Sequence, residues 1–193
     1  HWYYYENGVK VKNSWREDST GWCFLDEEGR WVLDSFVKDS TNKWAYITKD
    51  GYYYETTGWV EYDGHWYYLE KGYRVENDWR KDSTGWCFLD EEGRWVLNTF
   101  VKDSTGMWAY ITKDGYYYET TGWIQYDGGW YYLEKGYAVT SQWRKDSVGW
   151  CYLSESGRMV TNDFVPDSNG LCYIGGEGYM LEVTDWQLHN DQW

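Results

Sequence analysis

The residues able to do chemistry in this chain are 32 Asp and Glu, 4 Cys, 3 His and an excess of aromatic rings. Paired carboxylates such as those in Asp90-Glu91-Glu92 are the raw material of glycoside hydrolysis. An active site, however, is one asymmetric constellation, and every acidic cluster here recurs by repetition along the chain. We therefore expect a non-catalytic protein. His1, His65 and His189 do not cluster, and no cysteine pair has CxxC spacing, so no metal site is expected. The DSTG tetrad at Asp18 and its relatives at Asp82, Asp103, Asp146 and Asp167 read as turns, with too few oxygens for calcium.

The rings remain: 17 Trp, 22 Tyr and 5 Phe, or 23% of 193 residues. Trp and Tyr each bring a polar N–H or O–H that a purely structural core must satisfy, so retaining so many suggests that ring faces are needed. Ring faces attract cations through the quadrupole and sugars through stacking. A net charge of −14 suits a cationic or neutral ligand and argues against nucleic acid. No apolar run is long enough to span a membrane, and no signal peptide is visible. Leu, Ile, Val and Phe make up only about 17% of the chain, a composition that with high net charge reads as disorder. Trp and Tyr restore the missing burial capacity.

The elements that position these rings are repeats. Residues 1–64 and 65–128 align without a gap and are identical at 51 of 64 positions, and a more drifted third copy fills 129–193. Within each copy lies a finer template: aromatic-x-aromatic-aliphatic, a polar turn ending in Gly, a short second strand, then a closing Trp or Phe. The closing rings are Trp15, Phe36, Trp59, Trp79, Phe100, Trp123, Trp143, Phe164 and Trp186, which gives nine units of about 21 residues. Each unit reads as a β-hairpin, marginal alone and stable only when stacked on its neighbours. The expected fold is an all-β solenoid of about nine stacked hairpins, roughly three per superhelical turn, forming a single repeat domain over 1–193. The chain starts mid-unit, so we expect it to be part of a larger protein.

Strand alternation puts the first and third residues of each WxY motif on one face and the middle residue on the other. The middle positions run Tyr3, Cys23, Ala45, Tyr67, Cys87, Ala109, Tyr131, Cys151 and Cys172, an interior of periodic volume. Cys23, Cys87 and Cys151 fall 64 apart in one column, where disulfides are not expected. Cys151 and Cys172 occupy equivalent positions in adjacent hairpins, as a pair or as small interior residues.

The segments GWVEYDGHWYYLEKG, GWIQYDGGWYYLEKG and WRKDSVGWCYLSESGRMVTNDFV resemble the choline-binding, or cell-wall-binding, repeats of Gram-positive surface proteins and phage lysins. The resemblance covers essentially the whole chain. It implies a hairpin solenoid and aromatic cages that hold a trimethylammonium group between successive hairpins. Carried over, each cage takes a closing aromatic, the first WxY Trp of that hairpin, and the third WxY residue of the next. Four full sets result: Trp15, Trp22 and Tyr46; Trp79, Trp86 and Tyr110; Trp123, Trp130 and Tyr152; Trp143, Trp150 and Tyr173. Three weaker sets contain Phe: Phe36, Trp44 and Tyr68; Trp59, Trp66 and Phe88; Phe100, Trp108 and Tyr132. The resemblance implies an extracellular, cell-surface or secreted module, without cofactor, binding phosphocholine on teichoic acid. Related repeats bind carbohydrate, so a polysaccharide such as glucan stacked on the same rings is the alternative. A spacer whose cages are filled by side chains is a third reading.

Overall fold

A computed structural model describes residues 1–182; Trp186 and His189 lie outside them. The described residues form short β-strands joined by tight turns, with no helix. The architecture is that of an all-β hairpin solenoid. Two compact units are present, the first comprising His1–Leu97 and the second beginning at Asn98.

One hairpin of the first unit shows how the template folds. Ser14–Glu17 pairs antiparallel with Trp22–Leu25, setting Trp15 opposite Phe24 and Glu17 opposite Trp22. The intervening turn is closed by Asp18, whose Oδ1 accepts from the backbone N–H groups of Thr20 and Gly21 at 2.7 and 3.1 Å. The tetrads at Asp82, Asp146 and Asp167 close their turns in the same way, as expected of short polar side chains that cap their own backbone. After Leu25 the chain turns at Gly29, where φ is +77°, and returns so that Trp31 pairs with Leu25.

That return strand joins one hairpin to the next. The second residue after each turn glycine pairs with the aliphatic residue of its own hairpin: Ile47 with Tyr53, Leu69 with Arg74, Leu89 with Trp95, Ile111 with Tyr117, Leu133 with Ala138, Leu153 with Met159, and Ile174 with Met180. The preceding residue pairs backwards, with the middle WxY residue of the earlier hairpin: Cys23 with Tyr52, Ala45 with Tyr73, Tyr67 with Arg94, and Tyr131 with Arg158. In each unit one of these junctions extends into a five-stranded sheet, from Ser35–Lys38 to Gly58–Tyr62 in the first and from Thr99–Lys102 to Gly122–Tyr126 in the second. The hydrogen-bond pattern thus repeats at every third hairpin, the period of the 64-residue identity.

The core is the column of aliphatics. Ile47, Leu69, Leu89, Ile111, Leu133, Leu153 and Ile174 are all fully buried, each contributing about 1.5–3 kcal/mol. Cys23, Ala45, Tyr67, Cys87, Ala109, Tyr131 and Cys151 are buried beside them, as the alternation requires, whereas Tyr3 is exposed and Cys172 only partly covered. All four cysteines are free, so Cys151 and Cys172 do not pair. Burial pushes the Cys87 and Cys151 thiols up to about 11.

Candidate ligand-binding site

In four hairpins the first WxY Trp stands at similar exposure: Trp22 at 46%, Trp66 at 45%, Trp86 at 47% and Trp130 at 49%. Trp44 and Trp108 are more covered, whereas a large ring held half out of the fold at those four positions is a platform. The closing aromatic flanks it one strand away and packs on the third WxY ring of its own hairpin. Centroid distances are 5.2 Å for Trp15 and Phe24, 5.2 Å for Trp59 and Tyr68, 5.3 Å for Trp123 and Tyr132, and 5.4 Å for Trp143 and Tyr152. The third-position ring therefore braces the closing ring from within the same hairpin.

The third group at the site comes from the return strand of the next hairpin. The backbone N–H of Tyr53 donates to the carbonyl of Trp22 at 2.7 Å, and its ring meets Trp15 edge-on at 5.9 Å. The same N–H to Trp carbonyl bond places Trp95 on Trp66, Met159 on Trp130 and Met180 on Trp150. One position, the second after the turn glycine, is thus held in these hairpins against the first WxY Trp of the hairpin before it.

At Tyr53 the result is an open aromatic cavity of about 340 Å³ lined by Trp15, Trp22, Tyr53, Tyr73 and Asp39. Tyr53 and Tyr73 lie 5.8 Å apart. The Tyr53 hydroxyl donates to the Lys71 carbonyl, and burial, with Asp39 nearby, raises the Tyr73 phenol above its ordinary value. Desolvation, with Tyr73 and Glu55 nearby, raises the Tyr53 phenol to about 12, so it stays neutral at physiological pH. Partial burial works against ionisation of Asp39, but bonds from Thr41 and the Lys43 N–H outweigh it and hold the carboxyl below its ordinary range. Four rings and one carboxylate around a cavity open to solvent suit a soft cation that donates no hydrogen bonds. The indole Nε1 of Trp15 is buried without an acceptor, whereas Trp59 Nε1 donates to Asp82 and Trp143 Nε1 to the Pro166 carbonyl.

The other sequence-derived sets are distributed as follows. Tyr46 does not line the Trp15–Trp22 cavity: it packs on Phe36 at 5.3 Å and donates to Asp34. Trp59 stacks on Trp95 at 4.9 Å, with Trp66 beside it, while Phe88 packs on Trp79. Trp79 and Trp86 belong to the first unit, and Tyr110, packed on Phe100, to the second. Trp123 and Tyr132 pack against the cluster of Val139, Cys151, Leu153 and Met159, with Trp130 exposed. Tyr152 pairs with Trp143, and Tyr173 with Phe164. Phe36 and Trp44 face the guanidinium of Arg74, at 5.1 and 4.9 Å from the ring centroids, while Tyr68 packs on Trp59. Phe100 lies against Tyr131 at 5.0 Å, and Trp108 carries Lys102 at 5.2 Å. The sequence reading identified the two Trp columns but not the return-strand residue. Its signal is the second position after each turn Gly, where Trp, Tyr, Arg, Ala and Met alternate.

Comparison with known proteins agrees with this architecture. A family model for a cell wall binding repeat matches residues 57–71 and 121–136, the hairpins of Trp59 and Trp123. Glucosyltransferase-I of Streptococcus downei is 33% identical over 92 residues, which is 45% of this chain and 6% of that protein. Among solved structures, the modular autolysin LytC from Streptococcus pneumoniae superposes with a TM-score of 0.57 at 23% identity, over 98% of this chain and 49% of that one. Choline binding protein F from Streptococcus pneumoniae, crystallised with a peptidoglycan analogue, gives 0.51 at 25% identity, over 93% of this chain and 61% of that one. The chain therefore spans less than two thirds of each of these proteins.

Proposed function

This chain carries repeats of the cell-wall-binding family, and from that premise we propose that it is a non-catalytic module that holds the trimethylammonium group of choline in its aromatic pockets. The observation that carries the reading is the cavity of Trp15, Trp22, Tyr53 and Tyr73 beside the ionised Asp39. A quaternary ammonium has charge but no N–H to donate, so ring faces and one nearby carboxylate match it better than a hydrogen-bonding site would. A desolvated cation–π contact contributes about 2 kcal/mol and an exposed one ~0.5–1. A cage of this openness then reaches about −4 kcal/mol, a millimolar site. Several such sites facing a polymer of phosphocholine groups raise avidity by roughly 10²–10⁴. The proposed setting is the surface of a Gram-positive bacterium, with teichoic acid as the partner and this chain as the anchoring part of a larger protein.

The likeness to glucosyltransferase-I supports a second reading, in which a polysaccharide stacks on the same rings. Tryptophan fluorescence separates the two. Saturable change with choline below about 100 mM is expected, and its absence overturns the first reading. Saturation of the Trp15–Trp22 cavity by a soluble glucan with no response to choline favours the second.

A further inference from the structure

The two units differ at one pocket by a coordinated set of substitutions. In the first unit, Arg74 extends along Gly93 and places its guanidinium 4.9 Å from the ring centroid of Trp44, 5.1 Å from Phe36 and 5.8 Å from Tyr67. Its Nε donates to Glu76 at 3.0 Å. This cage is filled by the chain's own cation. Sixty-four residues later the rings are unchanged, as Phe100, Trp108 and Tyr131, but the arginine is Ala138. With it go three carboxylates: Glu76 becomes Thr140, Asp90 becomes Ser154 and Glu92 becomes Ser156. Arg94, bound to Asp90 and Glu92 at 2.8 and 2.7 Å, has its counterpart Arg158 turned to the Gly128 carbonyl instead.

Beside these substitutions lies an open cavity of about 670 Å³ lined by Trp108, Lys102, Gly106, Thr140, Ser154, Glu155 and Ser156. Ser154 and Ser156 hold their hydroxyls 2.9 Å apart. Lys102 lies over Trp108 at 5.2 Å, as Lys38 lies over Trp44 at 5.0 Å, but Glu76, the carboxylate paired with Arg74, has become Thr140, and Glu155 is the one carboxylate of the lining. The lining has one positive group, one negative group, three hydroxyls and an aromatic face. Such a set matches a neutral ring with hydroxyls on its rim and C–H bonds on its face.

We propose that the Trp108 cavity is a saccharide subsite, opened by Ala138 and distinct from the cation cage at Trp22. A hexopyranose unit stacks on Trp108 and exchanges hydrogen bonds with Thr140, Ser154, Ser156, Lys102 and Glu155. The chain then carries two ligand classes: an alkylammonium in the first unit and a sugar in the second. Arg74 closes the equivalent saccharide position in the first unit.

The test uses the full chain with three probes, isomaltohexaose, cellohexaose and tetra-N-acetylchitotetraose, to distinguish glucan from aminosugar sources. Indole N–H NMR signals of Trp108 and Trp22 are followed separately, with choline as a fourth titrant. The expected result is that one or more oligosaccharides shift Trp108 saturably in the millimolar range, and that Ala138→Arg weakens this at least about tenfold while the choline response of Trp22 is unchanged. Trp108→Ala, checked for fold by circular dichroism, abolishes saccharide binding. The proposal is overturned if none of the three sugars shifts Trp108, if Ala138→Arg leaves sugar affinity intact, or if choline rather than sugar saturates Trp108. Loss of the choline response at Trp22 alone bears on the function proposed above and leaves this subsite standing.

Discussion

Replacing Tyr53 by methionine isolates what the return-strand ring contributes. The chain itself shows that methionine fits the position. Met159 and Met180 occupy the same column, pair with Leu153 and Ile174 as Tyr53 pairs with Ile47, and donate the same N–H to Trp130 and Trp150 at 2.8 and 2.7 Å. The hairpin should therefore persist, at the cost of the hydrogen bond from Tyr53 to the Lys71 carbonyl, about 1 kcal/mol. The ligand loses one of its ring faces. A single cation–π contact in a partly open cage contributes between ~0.5–1 and about 2 kcal/mol. A loss of 1–2 kcal/mol corresponds to about 5- to 30-fold weaker binding. The assay is a choline titration followed at the indole N–H of Trp22, with urea unfolding of the same sample as the control for stability. An affinity within twofold of the parent would refute the assignment of Tyr53 to the cage. Collapse of the fold would refute the argument that methionine is accommodated there.

Other expectations concern the scaffold. Ile47→Ala removes a fully buried core side chain and should destabilise by about 2–5 kcal/mol, seen as a lower urea midpoint; no change would show that the aliphatic column is not the core. Bonds from the Thr20 N–H and then the Gly21 N–H and Tyr52 outweigh desolvation and hold the Asp18 carboxyl below 3.8, and bonds led by the Asn169 N–H do the same for Asp167. Their stabilisation is complete above the ordinary carboxyl value and is lost as pH falls through the lowered one. Unfolding midpoints should be flat from neutrality to about pH 5 and fall below about pH 4; a fall beginning near pH 6 would point to other groups. The Cys87 and Cys151 thiols, fully buried and raised to about 11, should resist a thiol reagent at pH 8 until the protein unfolds, with the partly covered Cys172 reacting first. Equal rates at all four cysteines would contradict that burial.

Much of the fold is legible in the sequence because its rules are local. Strand alternation puts Cys87 and Leu89 on one face and Trp86 and Phe88 on the other, and the structure buries Cys87 and Leu89 completely while leaving Trp86 at 47% exposure. The turn glycines are equally readable. Gly51 has φ of +87°, and a Cβ there would approach Trp31 Nε1 to 2.5 Å. The two tryptophan columns are visible for the same reason. The third member of the pocket depends on which residue of the next hairpin reaches back, and that is fixed by backbone pairing between hairpins. The bridge from Cys23 to Tyr52 puts Tyr53, not Tyr46, beside Trp15. Likewise, the exchange of Arg74 for Ala138 looks like ordinary drift until the guanidinium is found 4.9 Å from Trp44.

The central claim is that Trp15, Trp22 and Tyr53 enclose a quaternary ammonium, and a crystal structure of the full chain grown with choline chloride at about 50 mM, well above a millimolar dissociation constant, tests it most directly. The account predicts a trimethylammonium group in that cavity, its nitrogen within ~6 Å of the three ring centroids. An empty cavity at that concentration, or choline bound only elsewhere on the chain, would contradict it.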